Sequence, residues 1–508
     1  MEKLDNLANS GSLVSMKILG YDKEPLEVTV GKNVSGIELI LLSIISFKEP
    51  EGKKLMEWVY NELCKNKKAR QRLKKGNYIS VTSRSERLLL WAYILKNTKV
   101  THSKHYAKAL NNVCRYLISS NDNYIRDFKF ESEFSTVMFN LYRDNYQMQF
   151  YRASKIFIES NTFEICKTEF NEKYGFSLNE YIWEVNEIIK RIYEIKEIDY
   201  YRPYELFMWV LSYNTPNSLS ERILETVSLS QEQFNDKLDN INYSRDFSLF
   251  QNNPFLKLPS GSFLPIDGKF VEDLLFYNLF YKLESLPSKS KFITEFGYAF
   301  EMYISGLIEK SINYNSNLIH IPEFAYKQGT KKSPDAIIYN KNEDGMLVIE
   351  CKSARVLNTL ITRDDKNESF DKTLEKLRIR PWKQMYKSIC SIIKENAHPL
   401  ITQGKKYMFL CVTMNDLPMY PINFSIDVDN KHIEHALFSM NVEAFEIFLE
   451  ILSMSGENGY SHILLGYRKY QNSMSMKTYL NRIRKNHNLN NKKFIHEIFK
   501  DMNNIWFP

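Results

Sequence analysis

Six cysteines in 508 residues, none in a Cys-x-x-Cys pair, are too few and too scattered for a zinc ribbon or a disulfide framework. Cys64, Cys114, Cys166, Cys351, Cys390 and Cys411 sit among apolar neighbours, which predicts reduced, buried thiols in a cytoplasmic protein. Proline (15) and glycine (17) are also scarce, so long flexible linkers are not expected. Long hydrophobic runs are missing too. The longest, Gly36 to Phe47, contains Glu38 and falls short of the roughly 20 residues that span a bilayer as a helix. It reads as a buried helix or strand. The N-terminus opens on mixed charges with no apolar segment behind them, so neither a secretory signal nor a membrane anchor is expected. No glycine-rich Walker loop occurs, and an ATP-driven motor would have to be a separate partner. Internal repeats and low-complexity tracts are absent as well.

What the chain does have is apolar mass. Hydrophobic residues make up 44% of it and aromatic ones 14%, enough for two or three domain cores at this length. Helical periodicity recurs through Lys53 to Lys75, Glu86 to Leu95, His105 to Ser119 and Glu180 to Ile195, with some strand near Met16 to Val30. Residues 1–250 therefore read as a mainly helical accessory domain, without catalytic residues, that recognises a substrate, a protein partner or a trigger. Between Asn252 and Asp267, Pro254, Pro259 and Pro265 surround a Ser260-Gly261 turn, which predicts a short hairpin within a connector of residues 251–290. Met440 to Met454 reads as a helix and Lys477 to Lys500 as a basic helical tail, so residues 416–508 are expected to form a helical extension.

Chemistry concentrates in Ser333-Pro-Asp-Ala-Ile-Ile-Tyr339, followed after Lys341-Asn-Glu-Asp344 by Gly345-Met-Leu-Val-Ile-Glu-Cys-Lys352. Ala336 to Tyr339 and Met346 to Cys351 are apolar and rich in Ile and Val, so both read as buried strands joined by a hairpin loop. With four residues in that loop, Asn340 pairs with Gly345, and Asp335 falls opposite Glu350. Opposed residues of an antiparallel pair lie about 4.5 to 5.5 Å apart at Cβ and share a face. Lys352, two residues beyond Glu350, joins them on that face. Two like charges so placed destabilise a hairpin unless a hard cation with oxygen ligands lies between them. The pattern asks for Mg²⁺, with Mn²⁺ as a substitute.

These residues resemble the PD-(D/E)XK nuclease superfamily, the restriction-endonuclease-like fold, whose signature is matched by Pro334-Asp335 and Glu350-Cys351-Lys352. The resemblance covers about residues 291–415 and implies an α/β nuclease core, a central mixed sheet flanked by helices, with elements in the order helix, three strands, helix, strand. Lys291 to Lys310, with Phe292, Phe296, Phe300, Tyr303, Ile304 and Leu307 at helical spacing, would be the first helix. Leu318 to Tyr326 would supply the first strand, Asp371 to Asn396 the second helix, and Lys406 to Thr413 the strand after it. A further acid on the first helix is also implied. Of Glu295 and Glu301 we favour Glu301, because Gly297-x-x-Phe300-Glu301 looks like the family's first-helix motif. By the same resemblance, Asp335 and Glu350 would hold one or two Mg²⁺ ions, and Cys351 would lend its backbone carbonyl. Lys352 would orient the attacking water or neutralise the transition state, and Glu301 would complete the shell or hold an outer-sphere water.

The net charge of +7, from 68 basic and 61 acidic residues, is unevenly spread. Lys65 to Lys75 holds seven bases and no acid; Lys327, Lys331 and Lys332 precede Pro334; Arg482, Arg484, Lys485, Lys492 and Lys493 lie near the C-terminus. Each reads either as a solvated face or as a phosphate-binding surface. The middle group is the better placed, since it must approach any phosphate that reaches Asp335. Gln384 and Tyr386 fall on the second helix, where related nucleases place a Gln and a Tyr near the site or the DNA; the spacing here is shorter than theirs. His102 with His105, and His432 with His435, have i, i+3 spacing but no further zinc-site ligand, and read as surface histidines. The expected function is a metal-dependent endonuclease acting on DNA, working as a homodimer or larger oligomer if it cuts both strands. A host-defence role follows only by fold-level analogy. The alternatives are a non-catalytic nucleic-acid-binding or complex-forming scaffold, and an RNA-cleaving enzyme.

Overall fold

The computed structural model describes residues 22, 24–48, 59–65, 67, 84–101, 106–127, 145–195, 209–212, 217–241, 246–356, 367–415, 427–428, 431–432, 437–455, 459–471, 474–486 and 493–507. Among these, the chain divides into two compact units. One holds the described residues up to Gln149 together with Phe170–Lys282; the other holds Phe150–Glu169 and the described residues from Leu283 onward.

The first unit is mainly helical, as its periodicity predicts. Helices run over Gly36–Lys48, Arg84–Asn97, Tyr106–Asp127 and Leu178–Glu194. Of the expected helix over Lys53 to Lys75 only residues 59–65 and 67 are described, with a π turn at Val59–Leu63; most of the basic cluster lies outside the described residues, as do His102, His105 and His435. Glu38 is tolerated in a buried helix because it caps it: the Ser35 N–H donates to Glu38 Oε2 at 2.6 Å. The strand expected near Met16 to Val30 is not found where it can be checked. Leu26–Val30 is a short helix opened by Pro25 and stopped by Gly31 at φ 70°, and these two residues override the alternation of Leu-Glu-Val-Thr-Val.

The expected hairpin near Asn252 to Asp267 is present as Phe255–Lys257 and Phe263–Pro265, turning at Gly261 with φ 82°. It packs inside the first unit. Asp267 forms a buried, two-pronged ion pair with Arg84, at 2.6 and 2.8 Å. The boundary therefore falls at Lys282 and Leu283, beyond the expected residue 250, and residues 150–169 join the second unit.

The second unit is built on a mixed five-stranded sheet. Its elements are α1 (Lys289–Ile312), β1 (Leu318–Pro322), β2 (Ala336–Asn340), β3 (Gly345–Lys352), α2 (Arg380–Lys394), β4 (Lys406–Thr413), β5 (Leu437–Asn441) and α3 (Val442–Met454). The strand order is β5-β4-β3-β2-β1. β1, β2 and β3 are antiparallel neighbours, whereas β3, β4 and β5 run parallel. β3 is the central strand and is buried from Gly345 to Cys351, which its unbroken apolar run allows. Met346 and Val348 point to the face covered by α2, where they meet Trp382, Met385, Ile389 and Ile392 of that helix and Ile337 of β2. All six apolar residues expected to line α1 are buried.

Three expectations about this unit needed correction. Leu318 to Tyr326 is not one strand: β1 stops at Pro322, and Ala325–Tyr326 pairs separately with Lys331–Lys332. The helix expected over Asp371 to Asn396 is broken into Asn367–Leu374, a wide π turn at Glu375–Ile379, and α2, whose first turn contains Pro381. Proline has no N–H to donate back, so the regular ladder cannot run through it. The C-terminal segment is not purely helical, because Leu437–Asn441 adds β5 to the sheet before Asn441 caps α3. The described residues of the basic tail are helical as expected, over Met476–Asn486 and Lys493–Trp506.

Residues 150–169 belong here for a definite reason. Arg152, fully buried, grips Glu446 of α3 through two hydrogen bonds of 2.8 and 2.6 Å, and Tyr303 of α1 donates to the same carboxylate at 2.6 Å. Removing one charge strands the other in the interior, at a cost of about 3 to 5 kcal/mol. We expect Arg152→Met to lower the urea midpoint sharply, and Arg152→Met combined with Glu446→Gln to recover part of the loss. Equal losses in the single and double variants would refute this coupling.

Candidate active site

The four-residue turn sets the site. Asn340 pairs with Gly345, Met346 with Tyr339 and Ile349 with Ala336, the register read from the sequence. Asp335, one residue before β2, therefore lies opposite Glu350. The turn is held by Asp344, which takes a left-handed φ of 48° and accepts from Tyr339 Oη at 3.0 Å while pairing with Lys405.

Asp335 is fastened to the neighbouring strand, because the N–H of Cys351 donates to its Oδ2 at 2.6 Å. Glu350, almost wholly buried, accepts through Oε1 from the Lys352 ammonium and, at 2.7 Å, from Gln384 of α2. The resemblance points to Gln384 as a residue near the site or the nucleic acid, and its amide is bonded to the carboxylate of the site itself. Lys352 is half-buried. Burial works against its charge, but Glu350 and then Asp335 outweigh that and hold the ammonium above its usual range.

The carboxylates feel the opposite pressure. Burial pushes Glu350 up to about 7, and repulsion from Asp335 adds to it. Burial also raises Asp335, against the Cys351 hydrogen bond and Lys352. Glu301, half-buried on α1, is pushed up to about 7 by burial and then by Asp335. Glu295 instead pairs with Lys291 at 3.5 Å. α1 comes close to the end of β3 at Gly297, where an added Cβ would stand 3.9 Å from Ser353 Oγ.

Of the three lysines before Pro334, Lys332 donates to Glu323 at 2.8 Å and Lys327 pairs with Glu395 at 3.2 Å; Lys331 is exposed. Lys332 reaches the site only through its field, which favours the charged forms of Glu301 and Asp335. In the tail, Arg484 pairs with Glu450 at 3.2 Å. Tyr386 packs against the core under α2. Five of the six thiols are buried, but Cys390 is exposed on the outward side of α2, contrary to the expectation for all six.

Among the described residues, no group of three or more His, Cys, Asp or Glu side chains is gathered so as to hold a metal ion. Asp335 thus raises Glu301 through its charge, and the two do not join Glu350 in a three-ligand cluster. Two converging carboxylates still suit a hard cation that keeps most of its water, as Mg²⁺ does. The raised carboxylates, with Asp335 Oδ1 and Glu350 Oε2 taking no hydrogen bond among the described residues, fit a site that lacks positive charge.

No family model, curated protein or solved structure matches this chain. No helix among the described residues is long and apolar enough to cross a membrane.

The raised carboxylates make a stability prediction. Glu301 titrates near 7 when folded and about 4.3 when unfolded, so between those values the folded chain binds more protons, and stability falls as pH rises. Without metal, Glu301→Gln should raise the melting temperature by a few degrees at pH 8 and leave it unchanged at pH 4. Added Mg²⁺ should raise that of the unsubstituted protein more at pH 8 than at pH 5. A variant that melts with the parent at pH 8 would show that Glu301 carries no such strain.

Proposed function

We propose that this chain is a Mg²⁺-dependent nuclease that hydrolyses phosphodiester bonds, most readily of DNA. The observation that carries the proposal is the register that sets Asp335 opposite Glu350 with Lys352 beside them at the end of a central strand. The mixed five-stranded sheet flanked by helices supports a restriction-endonuclease-like core.

Asp335, Glu350 and the Cys351 carbonyl would hold the ion. Bound there, Mg²⁺ would polarise the phosphate and make a bound water a better nucleophile. The protein's own contributions are positional. The Cys351 N–H fixes Asp335, and Gln384 fixes Glu350. Lys352 keeps a compact positive charge where charge accumulates as a water oxygen adds to phosphorus and the bond to the leaving oxygen breaks. Glu301 is the further acid of the site and would hold an outer water.

A second reading, a nucleic-acid-binding scaffold without catalysis, is favoured by one observation: the Lys352 ammonium is already paired with the Glu350 carboxylate, as in a purely structural ion pair. Incubating the purified protein with supercoiled, linear and single-stranded DNA and with RNA, in Mg²⁺ or EDTA, separates these readings and an RNA-cleaving one. Under the nuclease proposal Lys352→Ala should reduce cleavage at least about a hundredfold while leaving fold and most affinity intact. Lys352→Arg should fail as well, because a planar guanidinium cannot place its charge at the same point. Full cleavage by either variant would defeat the proposal.

A further inference from the structure

Helix α2 carries no acidic residue from Arg380 to Lys394. Trp382, Met385, Ile389 and Ile392 bury one side of it under the sheet. Arg380, Lys383, Gln384, Lys387 and Lys394 recur at helical spacing on the opposite side. Arg380, Lys387 and Lys394 are exposed and Lys383 is half-buried. Arg380 pairs loosely with Glu375, at 3.4 Å with 76% of its side chain exposed. Lys383, Lys387 and Lys394 make no ion pair among the described residues. Of the acids at the ends of this helix, Glu375 faces Arg380, and Glu395 is taken by Lys327 at 3.2 Å.

A merely solvated helix face normally mixes signs, since like charges three or four residues apart are destabilising. Here Arg380 with Lys383, and Lys383 with Lys387, carry that cost without an intervening acid. The same face is joined to the site, because Gln384 donates to Glu350 at 2.7 Å.

We propose that this face of α2 is a phosphate track along which a nucleic-acid strand runs into the site. The inference rests on the nuclease reading and adds where the strand lies. At a rise of about 1.5 Å per residue, Lys387 stands about 4.5 Å and Lys394 about 15 Å along the helix from Gln384. Arg380 and Lys383 stand on the other side of it. That is room for several backbone phosphates at about 3.4 Å per strand.

The test measures binding without cleavage, in the Lys352→Ala protein in EDTA, with a fluorescein-labelled DNA oligonucleotide over a range of salt concentrations. Adding Lys383→Gln, Lys387→Gln and Lys394→Gln should lower the slope of log affinity against log salt by about 2 to 3, at about 0.7 to 0.9 per phosphate contact. Affinity at low salt should fall at least tenfold. The control is Lys341→Gln with Lys406→Gln, at the turn end of β3 about 17 Å from Glu350 along the strand, and it should bind like its parent. An unchanged slope in the triple variant, an equal loss in the control, or no binding of the oligonucleotide overturns the track. Failure of the unsubstituted protein to cleave in Mg²⁺, with the salt slope still dependent on these lysines, defeats the nuclease reading alone.

Discussion

The pairing of Asn340 with Gly345 across the turn is the constraint from which the rest of the site follows. Side chains alternate along a strand with a period of two, so a slip of one residue would send Glu350 and Lys352 to the opposite face from Asp335. Several interactions guard against that slip. Asp344 adopts the left-handed turn conformation, Asn340 accepts from the Asn342 N–H at 3.0 Å, and Gly345 lies where an added Cβ would meet Tyr460 Oη at 3.2 Å. The buried pattern of β3 adds a second guard, since Met346 and Val348 fill the space under α2 only in this register.

Once the register is set, the sheet presents charge where burial resists it. Glu350 and Asp335 are held by directional hydrogen bonds from Cys351, Lys352 and Gln384, so their positions are decided before any substrate arrives. The partners do not neutralise them completely, and burial still holds both carboxylates and Glu301 above their usual range. Such a site gains from a cation or from protons, and fixed geometry spares it reorganisation when charge moves.

Two features of α2 connect packing to chemistry. Its apolar side is an ordinary helix-on-sheet contact anchored by Trp382, whose indole N–H donates to the Phe438 carbonyl of β5 at 3.0 Å. Because that side is fixed, the polar side has one orientation, which brings Gln384 to Glu350 and leaves the lysines outward.

The sequence carries in its local pattern the hairpin, its register, the burial of β3, the helix that supplies Glu301, and β4 to its terminal residues. These rest on local periodicity and on a turn of countable length. It did not determine β5, because Leu437–Asn441 reads equally as the start of the helix that follows and becomes a strand only by pairing with Phe409–Thr413. Nor did it place residues 150–169 with the second unit, since the Arg152–Glu446 pair spans a separation of 294 residues that no local pattern encodes. The side chains that hold the site were only partly legible for the same reason. That Asp335 faces Glu350 follows from counting, whereas the bond from Gln384 to Glu350 and the pressure on Glu301 arise only when α1 and α2 pack on the sheet and exclude water.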